Sequence, residues 1–455
     1  MLIRLQVSGF KNLRDADVRF GPLTCFIGPN SVGKSNLLDA VQFLRHLADE
    51  EIERAAESIR QPASGGFSPL ELFWNHDPSS EIVLSAWMLV PHETEDDFGQ
   101  AVKPANTLLR YKVTFGFSKE DQRLELRSED LVHIKKGDAR AVLGFPHSSD
   151  FRDSVVMGRR QGTAFISTKL EAGLRTVFLH GDGGSRGRPV RPGPSPRTIL
   201  GGTGTKEYPT VVAARREMAS WHSLHLEPSS LRAPDRLGER ASIDEHGRHI
   251  AATLHRLGRE SGDAVRTCAE VANQLARLVA GASQVRVRED PAREQYVVEV
   301  RMRDSDLWLP PRSLSDGTLR YLALVVMQMD VSASRLVCIE EPENGIHPFQ
   351  LPDLLSLMRD FAVDPELPVS DMDNPLRQVI LTSHSPEVAK QLDPSEILFV
   401  EAVAGADGRS ARVRPVDHRE SWRDNTDAVS IEFLKKWIGG APRLVQGELP
   451  LRSAG

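Results

Sequence analysis

Eight residues, Gly28-Pro29-Asn30-Ser31-Val32-Gly33-Lys34-Ser35, constrain this chain more than any other stretch. They match G-x-x-x-x-G-K-[ST], follow the apolar run Leu23 to Gly28, and precede an apolar-periodic run that starts near Lys34 and continues past Leu44. The pattern predicts a strand–loop–helix unit. In such a unit glycine lets the backbone turn so that successive N–H groups face phosphates, and the helix N-terminus adds partial positive charge. Lys34 then reaches the β- and γ-phosphates of a nucleotide, and the Ser35 hydroxyl is a ligand for Mg²⁺.

The rest of the chain must supply a core for this unit, and composition allows it. Of 455 residues 40% are apolar and 26% charged, which is the balance of a globular protein of two or three lobes rather than a disordered one. The 57 basic and 63 acidic side chains give a net charge of −6, which excludes a globally basic coat for nucleic acid but not a local basic patch. The densest apolar run, Leu322 to Met327, is soon followed by Gln328 and Asp330, so no membrane span is expected. Ile3, Leu5 and Val7 alternate with Arg4, Gln6 and Ser8, a strand pattern rather than a secretory signal, and a cytoplasmic location follows as an expectation. Cys25, Cys268 and Cys338 are too few and too scattered for a disulfide framework.

Period-two runs at Glu81 to Val90 and Leu109 to Phe117 predict an antiparallel sheet beside the first unit, with Leu109, Tyr111, Val113, Phe115 and Phe117 on one face. Residues 181 to 205 hold eight glycines, four prolines and four arginines, and read as a mobile loop or linker. Helical spacing in two parts from His249 to Ala280 predicts a helical hairpin or arm, and the absence of sustained heptads excludes long coiled coils. From Gln284 onward strands and helices alternate: Val297 to Met302, a helix from Asp316, Leu336 to Glu340, a helix after Pro348, Val379 to Thr382, and a helix after Ser385. That alternation predicts a parallel sheet covered by helices.

Two of these elements carry chemistry. Leu336 to Glu340 is an apolar strand ending in the carboxylate pair Glu340-Glu341, where a metal-water ligand and a base would sit in a nucleotide hydrolase. Leu314-Ser315-Asp316-Gly317-Thr318 precedes an apolar-periodic segment, so Ser315 or Asp316 caps a helix whose free N–H groups suit an anion.

With the phosphate loop, the helix cap, the acidic strand and Leu381-Thr382-Ser383-His384-Ser385 in this order, the chain resembles the ATP-binding-cassette type of ATPase head in the RecF, SMC and OLD-like branch of the AAA ATPases. The opening Ile3 to Asn12 resembles that branch's first hairpin, and Glu341-Pro342-Glu343-Asn344-Gly345-Ile346-His347-Pro348 resembles its OLD-like members. The resemblance implies an α/β fold: a P-loop NTPase, ABC-ATPase-like head with an antiparallel β subdomain and an inserted helical lobe. It implies ATP and Mg²⁺ as cofactors, with Gly28, Asn30, Gly33, Lys34, Ser35 and Asn36 on the nucleotide and Ser35 and Glu340 on the metal. Ser315 and Gly317 would touch the γ-phosphate held by a second protomer, Glu341 would be the base that polarises the attacking water, and His384 would be the switch histidine. Glu340 stands where the wider pattern has aspartate, and residues 61 to 73 offer no clear glutamine-loop match.

The expected division is residues 1–130 for the first part of the head, 131–283 for an inserted lobe, 284–403 for the second part and 404–455 for a C-terminal extension. Residues 131 to 240 hold 18 basic against 10 acidic side chains, so this lobe is a candidate face for DNA or RNA. The pairs His222/His225 and His246/His249 have metal-like spacing, yet the sequence shows no carboxylate or cysteine partner for either. No D-x-D pair follows the strand Glu396 to Glu401, so no nuclease is expected in this chain. The functional expectation is an ATPase that acts through ATP-dependent head-to-head dimerisation, as a homodimer or higher homo-oligomer, in DNA maintenance or antiviral defence. The alternative is a slow-turnover scaffold, gated by nucleotide, that holds and releases a separate effector nuclease.

Overall fold

The computed structural model of the chain describes residues 1–59, 67–159, 162, 164–171, 174–184, 187–190, 195–239, 242–331, 335–371, 373–405, 408–418 and 421–439. The strand Leu23–Ile27 is wholly buried because its side chains alternate between two cores. Phe26 enters the core shared with the antiparallel sheet, while Cys25 and Ile27 enter the core beneath the later helices. This strand is central in a seven-stranded sheet whose order is Trp221–Leu224, Leu336–Glu340, Gln378–Ser383, Leu23–Ile27, Ile397–Gly405, Gly408–Asp417, Val429–Ser430. The first five strands run parallel, and Gly408–Asp417 turns back antiparallel to its neighbour Ile397–Gly405.

A second, eight-stranded antiparallel sheet runs in the order Arg188–Val190, Leu174–Leu179, Ile166–Glu171, Arg123–His133, Leu108–Ser118, Ile82–Leu89, Leu2–Phe10, Leu13–Arg19. Leu109, Tyr111, Val113, Phe115 and Phe117 are all buried on it, as their alternation predicts. The helix Lys34–Asp49 fills the space between the two sheets, with Phe43 stacked on Phe10 at 6.0 Å and tilted against Phe115 at 5.6 Å. The opposite face of the parallel sheet is covered by Ile250–Glu260, Ala264–Leu278, Asp316–Met329, Leu351–Phe361 and Pro386–Gln391. This is an α/β fold, a mainly parallel sheet covered by helices, with an antiparallel β subdomain. Among the described residues no helix is long and apolar enough to cross a membrane.

The described residues of 131–283 are shared among several places. Ile166–Glu171, Leu174–Leu179 and Arg188–Val190 extend the antiparallel sheet, Trp221–Leu224 is the edge strand of the parallel sheet, and Ile250–Glu260 with Ala264–Leu278 form the helical pair. The strand Gln295–Met302, expected in the parallel sheet, instead pairs antiparallel with Ala282–Asp290. Its buried Tyr296, Val298 and Val300 form one face of a ribbon that packs on the helices, which is a half-covered sheet's alternation rather than a parallel strand's continuous apolar run.

The segment 181–205 is also more ordered than a linker wherever it is described. Arg188–Val190 pairs with Leu174–Leu179, and Ile199 and Leu200 donate their N–H groups to Glu129 at 2.6 and 2.8 Å. Arg197 donates to the carbonyl of Asp49 at 3.0 Å, while Arg186 and Arg191 lie outside the described residues.

Candidate functional site

The parallel sheet brings the separate motifs together because three adjacent strands end on the same side. Leu23–Ile27 delivers the phosphate loop, Gln378–Ser383 beside it delivers His384, and Leu336–Glu340 next to that delivers Glu340 and Glu341. Loops at the carboxyl ends of parallel strands are where ligands of such sheets sit. Two loop positions accept only glycine. A Cβ on Gly28 would lie 2.2 Å from the carbonyl oxygen of Val400, and Gly33 has φ +110° with the Asn12 side chain 2.5 Å from where its Cβ would be.

Lys34 is buried, and its ammonium donates to the carbonyls of Gly28 at 2.8 Å and Pro29 at 2.6 Å, folded over its own loop. Burial lowers its pKa, opposed chiefly by the carboxyl groups of Glu341 and Glu343. Ser35 Oγ donates to Glu340 Oε2 at 3.2 Å, so the two oxygens expected to share a metal ion already face each other. Asn36 Nδ2 donates to Asn12 Oδ1 at 2.7 Å and Asn12 Nδ2 to the carbonyl of Val32 at 3.2 Å, which ties the loop to the first hairpin. Asn30 is exposed at the tip of the loop.

Glu341 sits at a left-handed φ of +47°, a conformation uncommon for a residue with a side chain, and its N–H donates to the carbonyl of Thr382. That turn aims its carboxylate at His384, whose Nδ1 lies 2.8 Å from Oε1, while Asn344 Nδ2 donates to Oε2 at 2.8 Å. Burial pushes this carboxyl up. The hydrogen bonds from Asn344 and His384 and the charge of Lys34 outweigh it and hold the group below its ordinary range.

Ser315 caps the helix Asp316–Met329 by accepting the N–H of Thr318, and both Ser315 and Asp316 are exposed. The cap is thus presented outward. The helix is linked to the acidic turn on its other side: Arg320 donates to the carbonyl of Asn344, and a Cβ on Gly317 would lie 3.3 Å from the carbonyl oxygen of Gly345.

Lys34, Ser35, Glu340, Glu341 and His384 therefore form one cluster, and Ser315 and Gly317 stand at a separate helix end. Sequence reasoning passed over Asn12, Asn344 and Glu343. The last accepts a hydrogen bond from Ser383, and its Oε2 is buried without a partner among the described residues. A signal for it was present, since Glu343 completes the Glu-Pro-Glu triplet after the strand. Trp221–Leu224 was also missed, because four residues that include His222 and Ser223 carry no periodicity; register with Leu336–Ile339 places them.

The family model described as "AAA domain, putative AbiEii toxin, Type IV TA system" matches residues 23–84 and 212–390, more than half of the chain. The DNA replication and repair protein RecF of Phocaeicola vulgatus is 36% identical over 78 residues, which are 17% of this chain and 20% of that protein. The OLD nuclease of Thermus scotoductus is 48% identical over 44 residues, which are 10% of this chain and 8% of that protein. The chain therefore spans a fifth or less of the length of these curated relatives. Similar solved structures include an Smc head bound to the C-winged helix domain of ScpA, with 12% identity, TM-score 0.48, and 91% of this chain and 97% of that chain covered. The SMC head domain of Thermotoga maritima has 13% identity, TM-score 0.38, and 92% and 99% covered.

Proposed function

Because the chain belongs to this AAA-domain family, as an ABC-type head of the RecF, SMC and OLD kind, we propose that it binds ATP at the cluster around Lys34 and hydrolyses it to ADP and phosphate. One observation carries the reading: three segments far apart in sequence converge at the ends of three adjacent strands, so that a phosphate loop, a hydroxyl–carboxylate pair and a histidine-held carboxylate lie side by side. The backbone N–H groups of the loop receive the phosphates, and Lys34 exchanges its two carbonyl acceptors for phosphate oxygens. Ser35 and Glu340 fit a hard divalent cation, since a hydroxyl and a carboxylate oxygen already lie 3.2 Å apart. Mg²⁺ held there neutralises charge that develops on the phosphates. Glu341, kept ionised by Asn344 and His384, accepts the proton of the attacking water.

Ser315, exposed at a helix N-terminus, and the half-buried Gly317 beside it complete the pocket of a second copy in this reading. ATP then joins two heads, and hydrolysis releases them. Work in DNA maintenance or antiviral defence is the biological setting proposed, with DNA, RNA or a separate effector protein as the partner.

Lys34→Ala is the direct test. Among the described residues the hydrogen bonds of the lysine go to its own loop, so the fold should persist while phosphate release falls about 100-fold or more and binding of a fluorescent ATP analogue weakens. Phosphate release equal to that of the unaltered chain would remove the site assignment.

A further inference from the structure

His249 has no carboxylate partner nearby in sequence, but the fold gives it two. Its Nδ1 lies 3.2 Å from Asp235 Oδ1 and 3.6 Å from Glu239 Oε1, and the three atoms lie within 4.8 Å of one another. The arrangement is held from outside. Asp235, 3% exposed, has its other oxygen fixed by the N–H of Ala252 at 2.9 Å, and Glu239 Oε2 accepts the N–H of Arg236 at 3.2 Å. Each carboxylate thus spends one oxygen on the backbone and turns the other to a common point. His249 reaches that point from a left-handed backbone, φ +70°, immediately before the helix Ile250–Glu260, and its side chain does not cap that helix.

An ordinary histidine–carboxylate ion pair explains half of this. A single N–H at Nδ1 can serve Asp235 at 3.2 Å, but at 3.6 Å it makes no hydrogen bond to Glu239. A cation between the three atoms serves both carboxylates at once. Metal–ligand bonds of about 2.1 Å place neighbouring donor atoms roughly 3.0–3.4 Å apart; the 3.2 Å from Nδ1 to Asp235 lies inside that range and the 3.6 Å to Glu239 just outside it. One imidazole with two carboxylates is a donor set for first-row divalent ions, and three protein ligands leave open positions for water. Those positions face a surface cavity lined by Ser229, Ser230, Pro234 and Arg248.

We propose that Asp235, Glu239 and His249 bind one first-row divalent cation of the zinc or manganese class. The ion pins the short strand Asp235–Arg236 to the start of the helix Ile250–Glu260. Three residues before Asp235, Arg232 donates to the carbonyl of Leu314 at 3.2 Å and to Asp316 Oδ1 at 2.5 Å. The pinned segment therefore holds the helix end that Ser315 caps, and the ion's role is to fix that end in place.

The test uses the full chain, stripped with a chelator and free of nucleotide. Calorimetric titration with Zn²⁺ alone should show one site that is lost in His249→Ala and in Glu239→Gln, while Lys34→Ala retains it. Mg²⁺, which favours all-oxygen ligands, should bind this site at least tenfold more weakly. Zn²⁺ should also raise the melting temperature of the unaltered chain and of Lys34→Ala, but not of His249→Ala. Equal zinc stoichiometry in the unaltered chain and both site variants, each folded by circular dichroism, would overturn the proposal, as would absence of zinc binding to the unaltered chain. Glu239, half-exposed and off the core, keeps the test decisive if the His249 variant fails to fold.

Discussion

Glu341 and Glu343 are two residues apart and are pushed to opposite sides of the ordinary carboxylate range. Burial raises both. For Glu343 it dominates, and the hydrogen bond from Ser383 offsets only part of it. For Glu341 the donors win: Asn344 and His384 each bind one oxygen, and Lys34 adds its charge. A group that acts as base must be ionised, so the acid limb of ATP turnover should lie below the ordinary glutamate range, with the rate flat from there through neutrality. Asn344→Ala removes the largest of the lowering contacts and should move that limb upward, toward higher pH, with a smaller effect on the plateau. A profile of kcat against pH for the two proteins checks this, and an unmoved limb would mean that Glu341 is not the titrating base.

Glu129 acts between elements. It stands on the strand Arg123–His133, is fully buried, and receives Tyr111 Oη from the neighbouring strand together with the N–H groups of Ile199 and Leu200. Burial, only partly offset by those N–H groups, raises its carboxyl to about 7. The folded protein therefore holds this proton more tightly than the unfolded chain. The stability linked to it is complete below the ordinary pKa of 4.5 and is lost as pH rises to about 7, by up to about 3 kcal/mol. Glu129→Gln should be less stable than the unaltered chain at pH 5, since its amide meets a backbone N–H, but should show a flatter decline to pH 8. Urea denaturation of both proteins at the two pH values measures the difference, and parallel declines would exclude Glu129 as the titrating group.

The same elements show what was legible in the sequence. Leu23–Ile27, Lys34–Asp49, Asp316–Met329, Leu336–Glu340 and Gln378–Ser383 were readable because each joins a local period to a motif or cap at its end. Trp221–Leu224 and the docking of residues 198–200 were not, because partners distant in sequence place them: Leu336–Ile339 for the first and Glu129 for the second. The partners of His249 were hidden likewise. Asp235 and Glu239 lie ten or more residues before it, and the chain returns to them only through the strand Asp235–Arg236 and the turn at Gly247.

The cluster at Lys34 and the cap at Ser315 have different owners if two heads act together, and substitutions can separate them. In the folded chain the Ser315 hydroxyl is exposed and engaged only with Thr318 of its own helix among the described residues, so nothing in its own phosphate loop requires it. Glu341→Gln preserves size and removes the base, so ATP should bind while hydrolysis slows by about 100- to 10,000-fold. The ATP state that joins two copies should then accumulate. Ser315→Arg places a long side chain at the exposed cap without touching Gly28 to Ser35. Added to Glu341→Gln, it should leave ATP bound to single heads. Light-scattering mass with and without ATP reads the outcome: a doubling for Glu341→Gln and none for the double variant. A mass that does not change with ATP in the single variant would count against the two-headed site. Equal gains in both would free Ser315 from it while leaving the cluster at Lys34 to be judged by its own variant.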